Sequence, residues 1–138
     1  MMAAMFLHRL LDEDARRAFA RLAHRVLQAS GGISATEARV LYVMLAELEL
    51  DVGALEGSEP LEHVVMRVRH PRARMAALLE LYRLAYADGD MRSEEQAFVR
   101  WAATCWGMDE STVGKAEGWA RQHDAMVKQA AALIDRAR

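Results

Sequence analysis

Apolar residues return every three or four positions along most of this chain, and no stretch alternates in twos. From Met5 to Ala29 the stripe is Leu7, Leu11, Ala15, Phe19, Leu22 and Val26, the spacing that lines one face of a helix. Asp12 stands where a cap would start a second helix inside that stretch. Ser34-Ala-Thr-Glu37 reads as a capping box, in which each side chain satisfies an amide of the first turn. The apolar face that follows is Val40, Leu41, Met44, Leu45 and Leu48. Gly53 and Gly57 bracket an acidic linker, and Ser58-Glu59-Pro60 starts a short helix from Leu61 to about Val68 that ends at His70-Pro71. Met75 to Ala87 has only Glu80 and Arg83 as charged members; a helix apolar nearly all round belongs in the middle of a domain. The next helix, from about Ser93, carries Phe98, Val99, Trp101, Ala102, Cys105 and Trp106. Gly107 is its stop, and Asp109 caps a last helical region reaching about Arg136. No Asn-Gly hairpin signal is present. The expected fold is all-α: one domain over residues 1–138, a bundle of about seven helices with short connections between antiparallel neighbours.

At 138 residues, 53% hydrophobic and 28% charged, such a chain can bury a core without staples. A net charge of −2 argues against bulk attraction to nucleic acid or anionic lipid. Sixteen of the eighteen basic residues are Arg; Lys115 and Lys128 are the two exceptions. The single cysteine, Cys105, excludes an intramolecular disulfide and a Cys-cluster metal site. With no His or Lys beside it in sequence, it reads as a buried, inert thiol. No apolar run approaches the roughly 20 residues of a membrane span. MMAAMFLHRLL has too short an apolar core, and places Arg and His on the wrong side, for a signal peptide. The cytoplasm is the expected compartment.

Sliding the chain by 58 positions brings two polar turns into line: ASGGISATE (Ala29–Glu37) falls on ADGDMRSEE (Ala87–Glu95). Ala29 matches Ala87, Gly31 matches Gly89, Ile33 faces Met91 and Glu37 matches Glu95. Downstream, Leu41 meets Val99, Leu45 meets Ala103 and Leu48 meets Trp106. The pattern predicts two pseudo-repeated helix–turn–helix halves, each burying one face against the other. Glycine at 31 and 89 suits a left-handed position closing the preceding helix. Ser34 caps one following helix and Ser93, one position along, caps the other, with Glu37 and Gln96 three residues on.

Capping does not explain the difference between the copies. Ser30-Gly31-Gly32 becomes Asp88-Gly89-Asp90, and Thr36 becomes Glu94, so charge has gathered at one corner. Asp88, Asp90, Glu94 and Glu95 are the candidate ligands for a hard divalent cation. Glu37, Asp88, Asp90 and Glu94 are the candidate contacts for a basic partner. The segment is not an EF-hand, because the sixth and twelfth positions counted from Asp88 are Ser93 and Val99 rather than Gly and Glu.

Other constellations are weaker. His8, His24, His63, His70 and His123 are scattered, and His63 and His70 stand about 10 Å apart along a helix, too far to share one ion. Arg67, Arg69, Arg72 and Arg74 follow an acidic stretch, Glu47–Glu62, that holds six acids and no base. Mutual neutralisation is one account of them; a phosphate-binding patch is the nucleic-acid alternative. No nucleophile elbow, zinc-protease helix or P-loop is present. A helical enzyme using an acid pair as general acid and base would need Asp88, Asp90 or Glu95 in a pocket beside a base. Met44, Met66 and Met75 read as core filler.

One further pattern is a small or apolar helix end, Asp-Gly, an apolar residue two after the Gly, a capping position and a Glu opening the next helix. Tyr82, Leu84, Ala85, Ala87, Asp88, Gly89, Met91, Glu95, Val99 and Gly107-Met-Asp109 carry it. This resembles the tellurite-resistance TerB-like family, which includes the N-terminal half of a membrane-linked co-chaperone. The resemblance covers roughly residues 15–122, with the fainter first copy running from Leu22 through Glu37 to Leu48. It implies an all-helical, duplicated, non-catalytic scaffold of tellurite or general stress resistance. Its partners would be other proteins of a stress-response or membrane-surface complex, with calcium or magnesium as the cation that Asp88, Asp90 and Glu95 would hold. Nucleic acid is not an expected partner, and a homodimer is one arrangement open to such a domain. Ser30 stands where the first copy would need the aspartate of Asp-Gly, which weakens a symmetric pair of metal sites. No J domain follows, and His70-Pro71-Arg72 is not the His-Pro-Asp signature of co-chaperones.

Overall fold

A computed structural model describes residues 5–10, 12–29, 31–87 and 91–137 of the chain, and among these it is helical with no strand. Six α-helices form: α1 (Glu13–Gln28), α2 (Ala35–Glu47), α3 (Leu61–Val65), α4 (Pro71–Tyr86), α5 (Ser93–Cys105) and α6 (Glu110–Arg136). Single 3-10 turns lie at Leu7–Arg9 and Val52–Leu55. The N-terminal stripe is therefore divided. Asp12 is the N-cap of α1 and its Oδ1 accepts the Ala15 amide at 2.6 Å, so the residues before it fold back as a separate turn.

The expectation of a central helix in the Met75–Ala87 stretch holds. Helix α4 packs against α1, α5 and α6, and Ala77, Leu78, Leu81 and Tyr82 are wholly buried. It begins earlier than the apolar run, because Pro71 supplies a first-turn residue whose missing amide costs nothing there. From α1, Phe19, Leu22 and Val26 enter the same core, and Val64, Val65 and Val68 close it beneath α3. Each such side chain contributes roughly 1.5–3 kcal/mol on leaving water. The indole Nε1 of Trp106 donates to the Val65 carbonyl at 2.8 Å, pinning the end of α5 to α3. Helix α3 ends at Val65 rather than near Val68, with Met66 as its C-cap and Pro60 as its N-cap.

Helix α1 spans 13–28 and α4 spans 71–86; α2 spans 35–47 and α5 spans 93–105. Both bounds of α4 and α5 thus stand 58 positions after those of α1 and α2. The position expected for the second cap needs correction. Arg92, not Ser93, is the N-cap of α5, and Glu95, not Gln96, reaches back to it: the Arg92 amide donates to Glu95 Oε1 at 3.0 Å. Gly31, at φ +126°, turns the chain between α1 and α2 in a conformation that L side chains rarely adopt. Gly107, at φ +73°, does the same after α5.

Candidate functional site

Two of the candidate acidic residues are engaged by the backbone. Ser34 donates its amide to Glu37 Oε1 at 2.9 Å and accepts the Glu37 amide on its hydroxyl at 3.1 Å, completing the expected capping box. Glu95 is buried and accepts the Arg92 amide. Glu94 is exposed, as a first-turn acid favoured by the helix dipole. Asp88 and Asp90 lie outside the described residues. Among the described residues no three His, Cys, Asp or Glu side chains gather as a metal cluster.

The C-terminal end of α4 borders a cleft that the sequence did not reveal. Thr36, Val40, Val43, Met44 and Glu47 of α2 form one wall, and Glu80, Arg83 and Leu84 of α4 form another. Asp124, Val127 and Lys128 of α6 form the third wall of this opening of about 370 Å³. Ala87, which immediately precedes the acidic turn, and Arg39, beside the first corner's Glu37, both line it. The apolar floor comes from Val40, Val43, Met44, Leu84 and Val127; charge of both signs stands around it. Lys128 Nζ meets Asp124 Oδ2 at 2.8 Å on the α6 side.

Glu80 and Arg83 line this cleft yet belong to the core. Glu80 is 3% exposed and Arg83 7%. Arg83 Nη1 lies 3.0 Å from Glu80 Oε1 and 3.2 Å from Oε2. Glu80 Oε1 also accepts the amides of Met5 and Phe6 at 3.0 and 3.2 Å, so one buried carboxylate fastens the N-terminal segment to the central helix. A buried ion pair is tolerable only when further hydrogen bonds satisfy its charge, and the two amides help to do that. The sequence signal was present: two charged residues three apart in an otherwise apolar helix.

A second polar cluster lies between α4, α5 and α6. Glu117, 5% exposed, accepts Gln96 Nε2 at 2.8 Å and Arg100 Nη2 at 3.0 Å. Arg100 also reaches Glu110 at 3.3 Å. Burial, and then the Glu117 carboxylate, push the Tyr82 phenol well above its usual range. Arg121 reaches the Tyr86 hydroxyl at 3.5 Å, a bond that holds its guanidinium protonated. Nothing local in the sequence marks Glu117 as buried; its place beside Val113, Ala116 and Ala120 on the inner face of α6 is the one clue.

The arginine segment is largely neutralised. Arg67 pairs with Asp14 at 3.2 Å and Glu59 at 2.8 Å, and Arg69 meets Asp14 at 3.4 Å. Arg74 donates to the Val68 carbonyl at 2.7 Å, and Arg72 is exposed. The acidic stretch before these arginines supplies only Glu59 to the pairing; Asp14 of α1 supplies the rest. Cys105 is half-buried, and burial together with Glu62 raises its thiol pKa, which disfavours the reactive thiolate.

The fold defines a class: a small all-helical bundle whose central helix ends at Tyr86, with Ala87 lining a charged cleft. The family profile described as tellurite resistance protein TerB matches residues 1–118, and the chain belongs to that family. No curated protein and no solved structure matches the chain.

Proposed function

We propose that this chain is a non-catalytic interaction domain, a scaffold of tellurite or general stress resistance acting in the cytoplasm. Its binding face is the cleft between α2, α4 and α6 together with the acidic residues that follow Ala87 in sequence. The observation that supports this reading is the position of Ala87: the residue that leads into Asp88-Gly89-Asp90 is itself a wall of the cleft. A basic segment of a partner protein would meet the acidic turn while its apolar residues entered between Val40, Val43, Leu84 and Val127. Docking is preferred to a dedicated calcium or magnesium centre because Glu37 and Glu95 already accept helix-capping amides. A carboxylate so engaged has less lone-pair capacity for an ion that takes six to eight oxygens.

The reading is tested by affinity capture from the native cell, with wild type set against Asp88→Ser, Asp90→Gly and Glu94→Thr combined. That variant restores the chemistry of the first corner without touching a cap. Partners retained by wild type and lost by the variant, with displaced amide signals around Val40 and Ala87 when the purified partner is added, are the expected result. Equal recovery by both proteins would sink it.

A further inference from the structure

Helix α6 has 27 residues and so extends about 40 Å at 1.5 Å per residue. Its first half buries Val113, Ala116, Glu117 and Ala120 in the bundle. Asp124, Val127 and Lys128 still border the cleft. From Met126 on, the helix carries large apolar side chains with little cover: Met126 is 67% exposed, Leu133 69% and Ile134 72%. Ala130 and Ala137 are exposed as well.

These residues are ordered along the helix. Trp119, Met126 and Leu133 stand seven apart, and so do His123, Ala130 and Ala137, the two interleaved columns of a coiled-coil seam. Val127 and Ile134, also seven apart, flank it on the side of the cleft. Arg121, Asp124, Lys128 and Asp135 project from the other faces, which leaves Arg136 as the flanking charge of this stretch.

We propose that this seam is a homodimer interface, in which the C-terminal halves of two α6 helices pair antiparallel about a two-fold axis between Ala130 and Leu133. The face is complementary to itself in size. With that axis, each Leu133 packs over the second copy's Ala130 and each Met126 over its Ala137, large against small in every layer. Val127 meets Ile134 along one flank, and Gln129 meets Arg136 along the other, so no like charges face each other. Antiparallel pairing also opposes the two helix dipoles and places the bundles at opposite ends of the paired segment. A parallel pair would set Ala130 against Ala130 and Ala137 against Ala137, leaving every second layer underpacked. One pair of helix segments of about three turns buries less than the about 800 Å² per partner of a standard interface, so the dimer is concentration-dependent. The interface shares Val127 with the cleft but is carried by Ala130 and Leu133, which lie outside it, so this inference survives the failure of the docking reading.

Sedimentation velocity from micromolar to sub-millimolar protein tests it. Wild type is expected to move from monomer towards twice the mass. Leu133→Glu is expected to stay monomeric throughout with an unchanged circular-dichroism spectrum, because the substituted side chain faces water in the monomer. Adding Ala130→Arg to Leu133→Glu places an arginine opposite each glutamate across the axis and is expected to restore the dimer. A wild type that remains monomeric throughout overturns the proposal and leaves the face to another occupant. A dimer indifferent to Leu133→Glu, or a double variant that stays monomeric, overturns the interface or its antiparallel register respectively.

Discussion

Glu37 and Glu95 stand 58 positions apart and make the same bond: each carboxylate accepts the amide of the residue three before it, Ser34 at 2.9 Å and Arg92 at 3.0 Å. The corners differ in the return half. Ser34 has a hydroxyl that accepts the Glu37 amide at 3.1 Å, whereas Arg92 carries donors only. At the second corner Glu95 is therefore structural, and Glu94 is its exposed neighbour.

Removing the caps should separate these roles. Ser34→Ala is expected to lower stability by about 1 kcal/mol. Glu95→Ala should cost more, about 1–3 kcal/mol, because it strands a partly buried amide. Glu94→Ala, at an exposed position, should change stability by less than about 0.5 kcal/mol. Urea unfolding of the three variants reads the order directly.

The Glu80–Arg83 pair makes a sharper prediction. Glu80→Ala removes the carboxylate that Arg83 Nη1 and the amides of Met5 and Phe6 share, and is expected to cost about 3–5 kcal/mol. Replacing both partners, Glu80→Met with Arg83→Leu, should recover much of that loss, because the uncompensated charge goes with the pair. Hydrogen exchange at Phe6 should accelerate in both variants, since the N-terminal segment loses its anchor in each. Protection unchanged at Phe6 would show that the segment is held by the contact of its ring with Trp119, whose centroid lies 5.5 Å away.

Tyr82 should make the fold sensitive to alkali. Its phenol pKa is raised in the folded chain, first by burial and then by Glu117. The unfolded chain therefore loses this proton at lower pH than the folded one. The associated stability is whole below about pH 10, the ordinary tyrosine value, and declines as pH rises towards the folded value. Tyr82→Phe keeps the ring and removes that slope; thermal melts between about pH 9 and 11 should diverge from wild type as pH rises.

Asp109 gives the acid counterpart. The Thr112 amide donates to its Oδ1 at 2.8 Å and holds its pKa below the usual carboxylate range. The contribution is present above about pH 4 and is lost as pH falls through the lowered value. Asp109→Asn retains a capping oxygen but does not titrate there, so its acid-unfolding curve should be shallower than that of wild type.

Most of the helices were legible because amphipathic spacing and caps are local. Ser34, Asp109 and Gly107 each govern a bond or turn with near neighbours in sequence, and the residues needed are within a few positions. Ser93 misled for a related reason: a serine is the better cap by type, but the register was set by Glu95, whose carboxylate reaches the amide of Arg92. The α6 seam was readable as helix and not as surface, since nothing in the pattern from Met126 to Ile134 says that the bundle ends near Val127.

The chain order of side chains was enough for the helical class and for the family. The cleft, the burial of Glu80 and Glu117, and the neutralisation of Arg67 by Asp14 required three-dimensional placement. Each joins residues far apart in sequence, and a charge's cost depends on which distant groups surround it once water has been excluded.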